Sequence, residues 1–312
     1  MIDIAIIGGG PAGLSAGLYA ARGGATTVLF EEVFVGGQAA KTSQIDNYPG
    51  FENGIEGTEL GLKMEKQASR FGLSIRYEPV EKLDMSKQKI EIHTAKGVEL
   101  ARTLILCMGA SPKKLGIARE EELTGLGISY CATCDGAFFR NRDVAVVGGG
   151  DTALSDALYL ARFASSVTLI HRRDEFRGSA ALQSSVANEP KIKLALDSVV
   201  EALLGEDTLS GLSIKNVKTG DMSQIDTSAL FIAVGTEPRT GLVGGQIELS
   251  PDGQIVTDQL MQTNIPGVYA AGDVRETPLR QVVTAVADGA VAATQALERI
   301  ALERAQEKEH VG

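Results

Sequence analysis

Short apolar runs of strand length recur along this chain, and each gives way to a segment of different rhythm. Ile2 to Ile7 is the first, too short for anything but a strand. Pro11 to Gly24 follows, reading as a helix that stops at Gly23-Gly24. Thr26 to Phe30 is a second apolar, β-branched run and ends at Glu31. The same order returns mid-chain: Val144 to Val147 as a strand, Ala153 to Ala164 as a helix, Val167 to Ile170 as the next strand. A third strand signal, Gly267 to Glu276, ends in Ala271-Gly272-Asp273. Arg280 to Leu297 then begins a helix whose small residues permit close packing. Alternation of this kind predicts an α/β chain with parallel sheets.

Glycine clusters sit at the two strand-to-helix joints. Gly8-Gly9-Gly10-Pro11-Ala12-Gly13 fits G-x-G-x-x-G, and Gly148-Gly149-Gly150-Asp151-Thr152-Ala153 fits G-x-G-x-x-A. Glycines there let backbone amides approach a pyrophosphate at a helix N-terminus, where the dipole favours negative charge. The strand after the first cluster ends in Glu31, an acid suited to hydrogen-bonding a ribose hydroxyl pair. The strand after the second runs into His171-Arg172-Arg173-Asp174-Glu175-Phe176-Arg177. A 2′-phosphate needs fork-shaped cationic donors, which arginine supplies, so the second unit suits NADPH. Two different dinucleotides in one chain point to electrons passing between them, from a nicotinamide to an FAD.

Bulk properties narrow the classes. At 312 residues the chain suits two domains of ordinary size, and 44% hydrophobic with 22% charged residues is a globular composition. The apolar runs fall far short of a bilayer span. The N-terminal stretch has no basic region and no small-residue cleavage site, and reads as a strand rather than a signal peptide. A net charge of −10 argues against nucleic acid and anionic membrane as partners. Three cysteines make no disulfide scaffold and favour a reducing cytoplasm.

GGGPAG, Gly36-Gly37-Gln38, Asn47-Tyr48-Pro49-Gly50, Cys131-Ala132-Thr133-Cys134-Asp135-Gly136, GGGDTA, HRRDEFR, AAGD and RQVVTAVADG occur in that order along nearly the whole chain. The set resembles the bacterial-type, low-molecular-weight thioredoxin reductases, within the two-dinucleotide flavoprotein disulfide reductases. The resemblance implies two Rossmann-like, three-layer dinucleotide-binding domains. The NADPH domain, 113–242, carries the dithiol and is inserted into a discontinuous FAD domain, 1–112 and 243–312. It assigns FAD to Gly8, Gly10, Ala12, Gly13, Glu31, Gly37, Gln38, Asn47, Asp273, Arg280, Gln281 and Val282. NADPH falls to Gly148, Gly150, Asp151, Thr152, His171, Arg172, Arg173 and Arg177. It implies a homodimer with thioredoxin as partner, and domain rotation about joints near Ser111 to Gly116 and Thr240 to Gly245. Two positions depart from the family pattern. Cys107-Met108-Gly109 stands where A-T-G is usual, and Ser155 precedes Asp156 where two acids are expected.

The CATC pair can be read in that setting. Zinc would need two further ligands, and the chain offers only Cys107, His93, His171 and His310, scattered. Cysteines two apart beside a nucleotide-binding unit point to redox work, as a dithiol and disulfide. By resemblance, Cys134 is the sulfur nearer the flavin, Cys131 attacks the external disulfide, and Asp135 is the acid/base residue, although an Asp before Gly136 is equally a turn residue. The expected activity is NADPH-dependent reduction of thioredoxin. A reductase serving a glutaredoxin-like or peroxidase-linked partner, a disulfide-generating oxidase and a non-catalytic redox sensor are the alternatives; the arginines favour a reductase. Cys107 and His93 read as structural, and the tail from Glu298 as a helix end or frayed terminus.

Overall fold

The computed structural model describes residues 1–42, 44–87 and 89–309, so His310 lies outside the described residues. The chain forms two units, Met1–Ser111 with Glu237–Gly312, and Pro112–Thr236. Among the described residues, no helix is long and apolar enough to cross a membrane.

The first unit opens with β1 (Ile2–Ile7), α1 (Pro11–Arg22), β2 (Thr27–Glu31), α2 (Gly57–Ser69) and β3 (Ser74–Tyr77). β4 (Val80–Asp84), β5 (Ile90–Thr94) and β6 (Gly97–Leu106) follow as an antiparallel meander. β6 is long enough to serve twice: its first half pairs with β5, and its second half runs parallel to β1. The short strand β7 (Ala110–Pro112) leads out of the unit.

The second unit contains β8 (Ile128–Ser129), α3 (Ala132–Asp135), β9 (Asp143–Val147), α4 (Asp151–Ala161), β10 (Ser166–Ile170), α5 (Ala180–Asn188) and β11 (Ile192–Ala195). β12 (Ser198–Leu204), β13 (Gly211–Asn216) and β14 (Met222–Asp226) make a separate antiparallel sheet, before β15 (Ala229–Ile232). β16 (Thr236–Pro238) pairs with β7 as the chain returns. β17 (Val268–Ala270) and α6 (Val282–Glu309) then complete the first unit.

Each unit centres on a parallel sheet, as the strand and helix alternation predicts. In the first the order is β3-β2-β1-β6, with β17 also parallel to β6. In the second it is β11-β10-β9-β15-β8. β1 has β2, the next strand in the chain, on one side and β6 on the other, and β9 has β10 on one side and β15 on the other. The strand order therefore reverses at β1 and β9, the place such sheets bind ligands.

Side-chain alternation along the strands builds the layers. Ile4, Ile6, Leu29 and Ile105 meet the helices, while Ala5, Ile7, Phe30, Leu104 and Leu106 pack with Ile247, Ile255 and Val268 on the opposite face. In the second unit Val144, Val146, Leu169 and Phe231 lie under Ala153, Leu154, Ala157 and Leu160 of α4. Ala145, Val147, Leu230 and Ile232 cover Val200, Leu203, Leu212 and Ile214 of the antiparallel sheet. Each of the large residues contributes about 1.5–3 kcal/mol by leaving water.

Of the two readings of the tail, the described residues take the helical one: α6 runs through Glu309. Two arginines hold it. Arg304 donates to both carboxylate oxygens of buried Asp3 at 2.8 and 2.9 Å, and Arg102 reaches Glu307 at 2.6 Å. Earlier in α6, alanines 285, 292, 293 and 296 pack against alanines 12, 16 and 20 of α1. Gly289 is the closest approach, where an added methyl would run into the Ala12 carbonyl oxygen.

Alanine normally improves a helix interior over glycine by about 1 kcal/mol. At Gly289 the obstacle is backbone, so overpacking wins. Gly289→Ala is expected to destabilise by about 2 kcal/mol in urea unfolding. Gly241→Ala, facing open space, should stay within about 0.5 kcal/mol of the parent. Equal stabilities for the two variants would refute the close packing of α6 on α1.

Candidate active site

The candidate residues gather at two glycine turns and one disulfide, each following a strand end. At the C-terminal end of β1, Gly8 has φ +105°, and a Cβ there would strike the Cys107 carbonyl. A Cβ on Gly13 would strike the Gly8 carbonyl. Gly36 donates to the Gly9 carbonyl at 2.8 Å, and Gly37 abuts Gly10, bringing Gly37 and half-buried Gln38 against the turn. Glu31 at the end of β2 points back at it, accepting from the Gly9 N–H at 2.7 Å and the Val33 N–H at 3.2 Å.

On the other side of this unit Asn47 donates to the Gln281 side chain at 2.9 Å. Val282 opens α6 and packs on the cluster of Ile45, Ile55 and Leu60. Asp273 is half-buried and makes no hydrogen bond to a described residue. Burial pushes its carboxyl pKa up; the Arg280 charge pulls it down and Asp288 adds to the rise. The buried Arg280 Nε has no hydrogen-bond partner among the described residues. A carboxyl and a guanidinium left with open hydrogen-bonding capacity, in the unit that bears the first glycine turn, fit a polar group supplied by a dinucleotide.

Sequence reasoning missed what holds this corner. Asp288 accepts from the Gly272 N–H at 3.1 Å and pairs with Arg275 at 3.0 Å, fixing the turn that carries Asp273. Only the acid beside Gly289 in the small-residue helix hinted at it. Cys107 is a buried free thiol, its pKa raised by burial, and its backbone forms the floor under Gly8.

At the end of β9, Gly148 has φ +155° and would clash through a Cβ with the Ala233 carbonyl. The arginine loop folds back over this turn. Arg177 donates its N–H to the Gly149 carbonyl at 2.7 Å, and Asp151 accepts from the Ser179 N–H at 2.7 Å. His171 is buried; its ring fills the space a Gly149 side chain would need, and its Nε2 donates to the Glu175 carbonyl at 3.1 Å. Burial lowers its pKa, and the charges of Arg172, Arg173 and Arg177 lower it further. Those three arginines are exposed and form no ion pair with a described residue. Asp174, in the same loop, pairs with Lys218 at 2.7 Å. Thr152 is exposed on the first turn of α4.

Cys131 and Cys134 are joined in a disulfide, both half-buried. Cys131 caps α3: its sulfur accepts from the Cys134 N–H at 3.2 Å and its carbonyl from the Asp135 N–H at 3.1 Å. Asp135 closes the turn, and burial raises its pKa, opposed by the Ser129 hydroxyl donating to it at 2.6 Å. The disulfide, Asp135 and the arginine loop thus belong to one unit, and the first glycine turn with Asp273 and Arg280 to the other.

A family model described as pyridine nucleotide-disulphide oxidoreductase matches residues 2–289. A thioredoxin reductase of Streptomyces coelicolor is 44% identical over 297 residues, 94% of this chain and 92% of that one. A bifunctional thioredoxin reductase/thioredoxin of Mycobacterium leprae is 44% identical over 308 residues, 98% of this chain and 67% of that protein. The crystal structure of thioredoxin reductase from Streptococcus pyogenes superimposes with a TM-score of 0.91 at 42% identity, covering 97% of this chain and 99% of that chain.

One acid in the second unit is costly. Asp156 on α4 is half-buried, its carboxyl makes no hydrogen bond to a described residue, and it is pushed up by burial from the usual 3.8 to about 6. A folded-state pKa above the unfolded value means that ionisation costs stability; the cost grows between pH 3.8 and about 6 and is full above that. Two pKa units correspond to about 3 kcal/mol, which partial exposure reduces to about 1–2 kcal/mol. Asp156→Asn should therefore gain about that much in urea unfolding at pH 8 and almost nothing at pH 3.5. No gain at pH 8 would mean the carboxylate is solvated.

Proposed function

The chain belongs to the pyridine nucleotide-disulphide oxidoreductase family, and from that premise we propose that it is an NADPH-dependent thioredoxin reductase. The observation that carries this reading is the Cys131–Cys134 disulfide, set beside the half-buried Asp135 carboxyl in the unit whose glycine turn is bonded by the loop that bears three exposed arginines. The family implies a flavin and a pyridine nucleotide; when bound, they supply hydride transfer and a two-electron reduction of the disulfide.

The residues divide by charge. Gly8, Gly10, Ala12 and Gly13 would hold the pyrophosphate of FAD, with Glu31 on its ribose. Gly37, Gln38, Asn47, Asp273, Arg280, Gln281 and Val282 would hold the rest. Gly148, Gly150, Asp151 and Thr152 would receive the pyrophosphate of NADPH. Arg172, Arg173 and Arg177 would grip its 2′-phosphate, with His171 anchoring their loop. Burial and the three arginine charges favour the neutral ring of His171. Lys218 helps by keeping Asp174 away from the arginines.

In the reduced pair Cys131 is the attacking thiol. An ordinary thiol is mostly protonated at neutral pH, so it needs an acceptor for its proton. Asp135 serves: its raised pKa lets it hold that proton and return it to the thiolate leaving the partner. The partner is thioredoxin or a thioredoxin-like protein, met in a reducing cytoplasm by a homodimer. The curated relatives named thioredoxin reductase support the partner, and the cysteine usage supports the compartment.

Anaerobic titration of the flavin-loaded protein with NADPH should consume about two equivalents, one for the flavin and one for the disulfide. The double variant Cys131→Ser, Cys134→Ser should consume about one. Consumption of about one equivalent by the parent would defeat the reductase reading. Arg172→Ala with Arg173→Ala should raise KM for NADPH at least about tenfold and leave NADH unchanged. Equal loss with both nucleotides would move the arginines out of the 2′-phosphate site.

A further inference from the structure

Ser129 lies at the end of β8, two residues before the disulfide, and is 4% exposed. A hydroxyl has one proton to give and two lone pairs. One lone pair is taken by the Cys131 N–H at 3.0 Å. The proton has two acceptors within reach, an Asp135 carboxylate oxygen at 2.6 Å and the Cys131 carbonyl at 3.3 Å. It can serve only one at a time.

Which one is set by Asp135. An ionised carboxylate only accepts, so Ser129 must donate to it. A protonated carboxyl can donate its own proton to the free lone pair of Ser129, releasing the serine hydroxyl to the Cys131 carbonyl. Neither state leaves a buried polar group unpaired, which otherwise costs about 1–3 kcal/mol.

Resting on the reading of Asp135 as the proton carrier, we propose that Ser129 is a positioning residue whose hydroxyl turns between Asp135 and the Cys131 carbonyl as that proton arrives and leaves. In the full exchange the dithiol of Cys131 and Cys134 becomes a disulfide and the partner disulfide becomes a dithiol. Two electrons and two protons pass to the partner. Asp135 takes the Cys131 proton as that sulfur attacks and forms the mixed disulfide, breaking the partner's S–S bond, and gives it to the first departing partner thiolate. Cys134 then attacks the Cys131 sulfur, breaking the mixed disulfide, and its proton goes to the second partner thiolate. Ser129 turns once each way and ends where it began. The Cys131 carbonyl already accepts from the Cys134 and Asp135 N–H groups, so the added bond ties the proton's position to the backbone of the attacking residue.

Among the described residues, no charged neighbour shifts the Asp135 carboxyl. The titratable groups on the elements around α3 are Asp151, Asp156 and Tyr159 on α4, Arg140 beyond the following turn, and Tyr130 bonded to Glu120. The causes acting on the Asp135 carboxyl are burial, which raises its pKa, and the Ser129 hydrogen bond, which lowers it.

The test uses the full-length, flavin-loaded protein, reduced beforehand and mixed with excess oxidised thioredoxin from pH 5 to 9. The exchange rate of the parent should rise through a limb that Asp135→Asn abolishes. In Ser129→Ala the ionised form loses its donor, so the same limb should move to higher pH. The expected loss is at least about fivefold at the foot of the limb, with recovery above it. Ser129→Thr keeps the hydroxyl and should restore the parental limb. Ser129→Val against Ser129→Thr makes the same comparison at matched volume, should the alanine variant not fold. A limb that survives Asp135→Asn overturns the Asp135 reading itself. A limb lost in Asp135→Asn but unmoved in Ser129→Ala, or a rate lowered equally at every pH, overturns the role of Ser129 alone.

Discussion

Both units depend on backbone approaching backbone where a single methyl group would not fit. The Gly8, Gly13 and Gly148 positions each face a carbonyl oxygen, of Cys107, Gly8 and Ala233 in turn. Without those contacts α1 could not start where β1 stops, nor α4 where β9 stops. The first amides of each helix would then point elsewhere, and the dipole that favours a phosphate would lose its target. The glycines cost conformational entropy, about 0.5–1 kcal/mol each relative to alanine, so the packed sheets beneath must over-determine the turns. They do, with strands buried on both faces. In the first unit the alanine seam between α1 and α6 presses α1 onto its strand, and the Asp3–Arg304 pair ties the far end of α6 to β1.

Charge is distributed to leave specific groups unpaired. Asp3, Glu307, Asp288 and Asp174 all have cationic partners. What stays open is Arg280 Nε and Asp273 in one unit and the three exposed arginines in the other. A chain carrying −10 overall still offers a loop with three exposed arginines, and Asp174 in that loop is held by Lys218.

Much of this was legible in the sequence because its signals are local. Strand, glycine cluster and helix follow one another within about 20 residues, and the next strand ends in Glu31 in one unit and runs into the arginine loop in the other. The structure begins α6 at Val282 rather than Arg280 and ends α4 at Ala161, small shifts at frayed boundaries. Less legible were features made by distant pairings. The sheet of β12 to β14 alternates weakly because much of its outer face is polar, and β6 hides a change of partner halfway along an unbroken strand. The Asp288 contact to Gly272 spans sixteen residues and leaves no periodicity to read. Ser129 is near its partner in sequence yet was missed, because a serine before a cysteine pair looks like any turn residue until its two acceptors are seen.

Asp135 and Asp156 show what that serine changes. Both are half-buried carboxyls in the same unit, and in both burial is the leading cause of a raised pKa. Asp156 has no opposing hydrogen bond and reaches about 6; Asp135 has one, from Ser129. A proton carrier must lose its proton as readily as it gains it, so a carboxyl held too firmly protonated would serve poorly near neutral pH. Burial alone drives toward that extreme. One hydroxyl pulls back, and because it has a second acceptor in the Cys131 carbonyl it can release the carboxyl without becoming unpaired itself. The acid beside the disulfide is therefore set by two opposed and adjustable effects, whereas the acid on α4 is set by one.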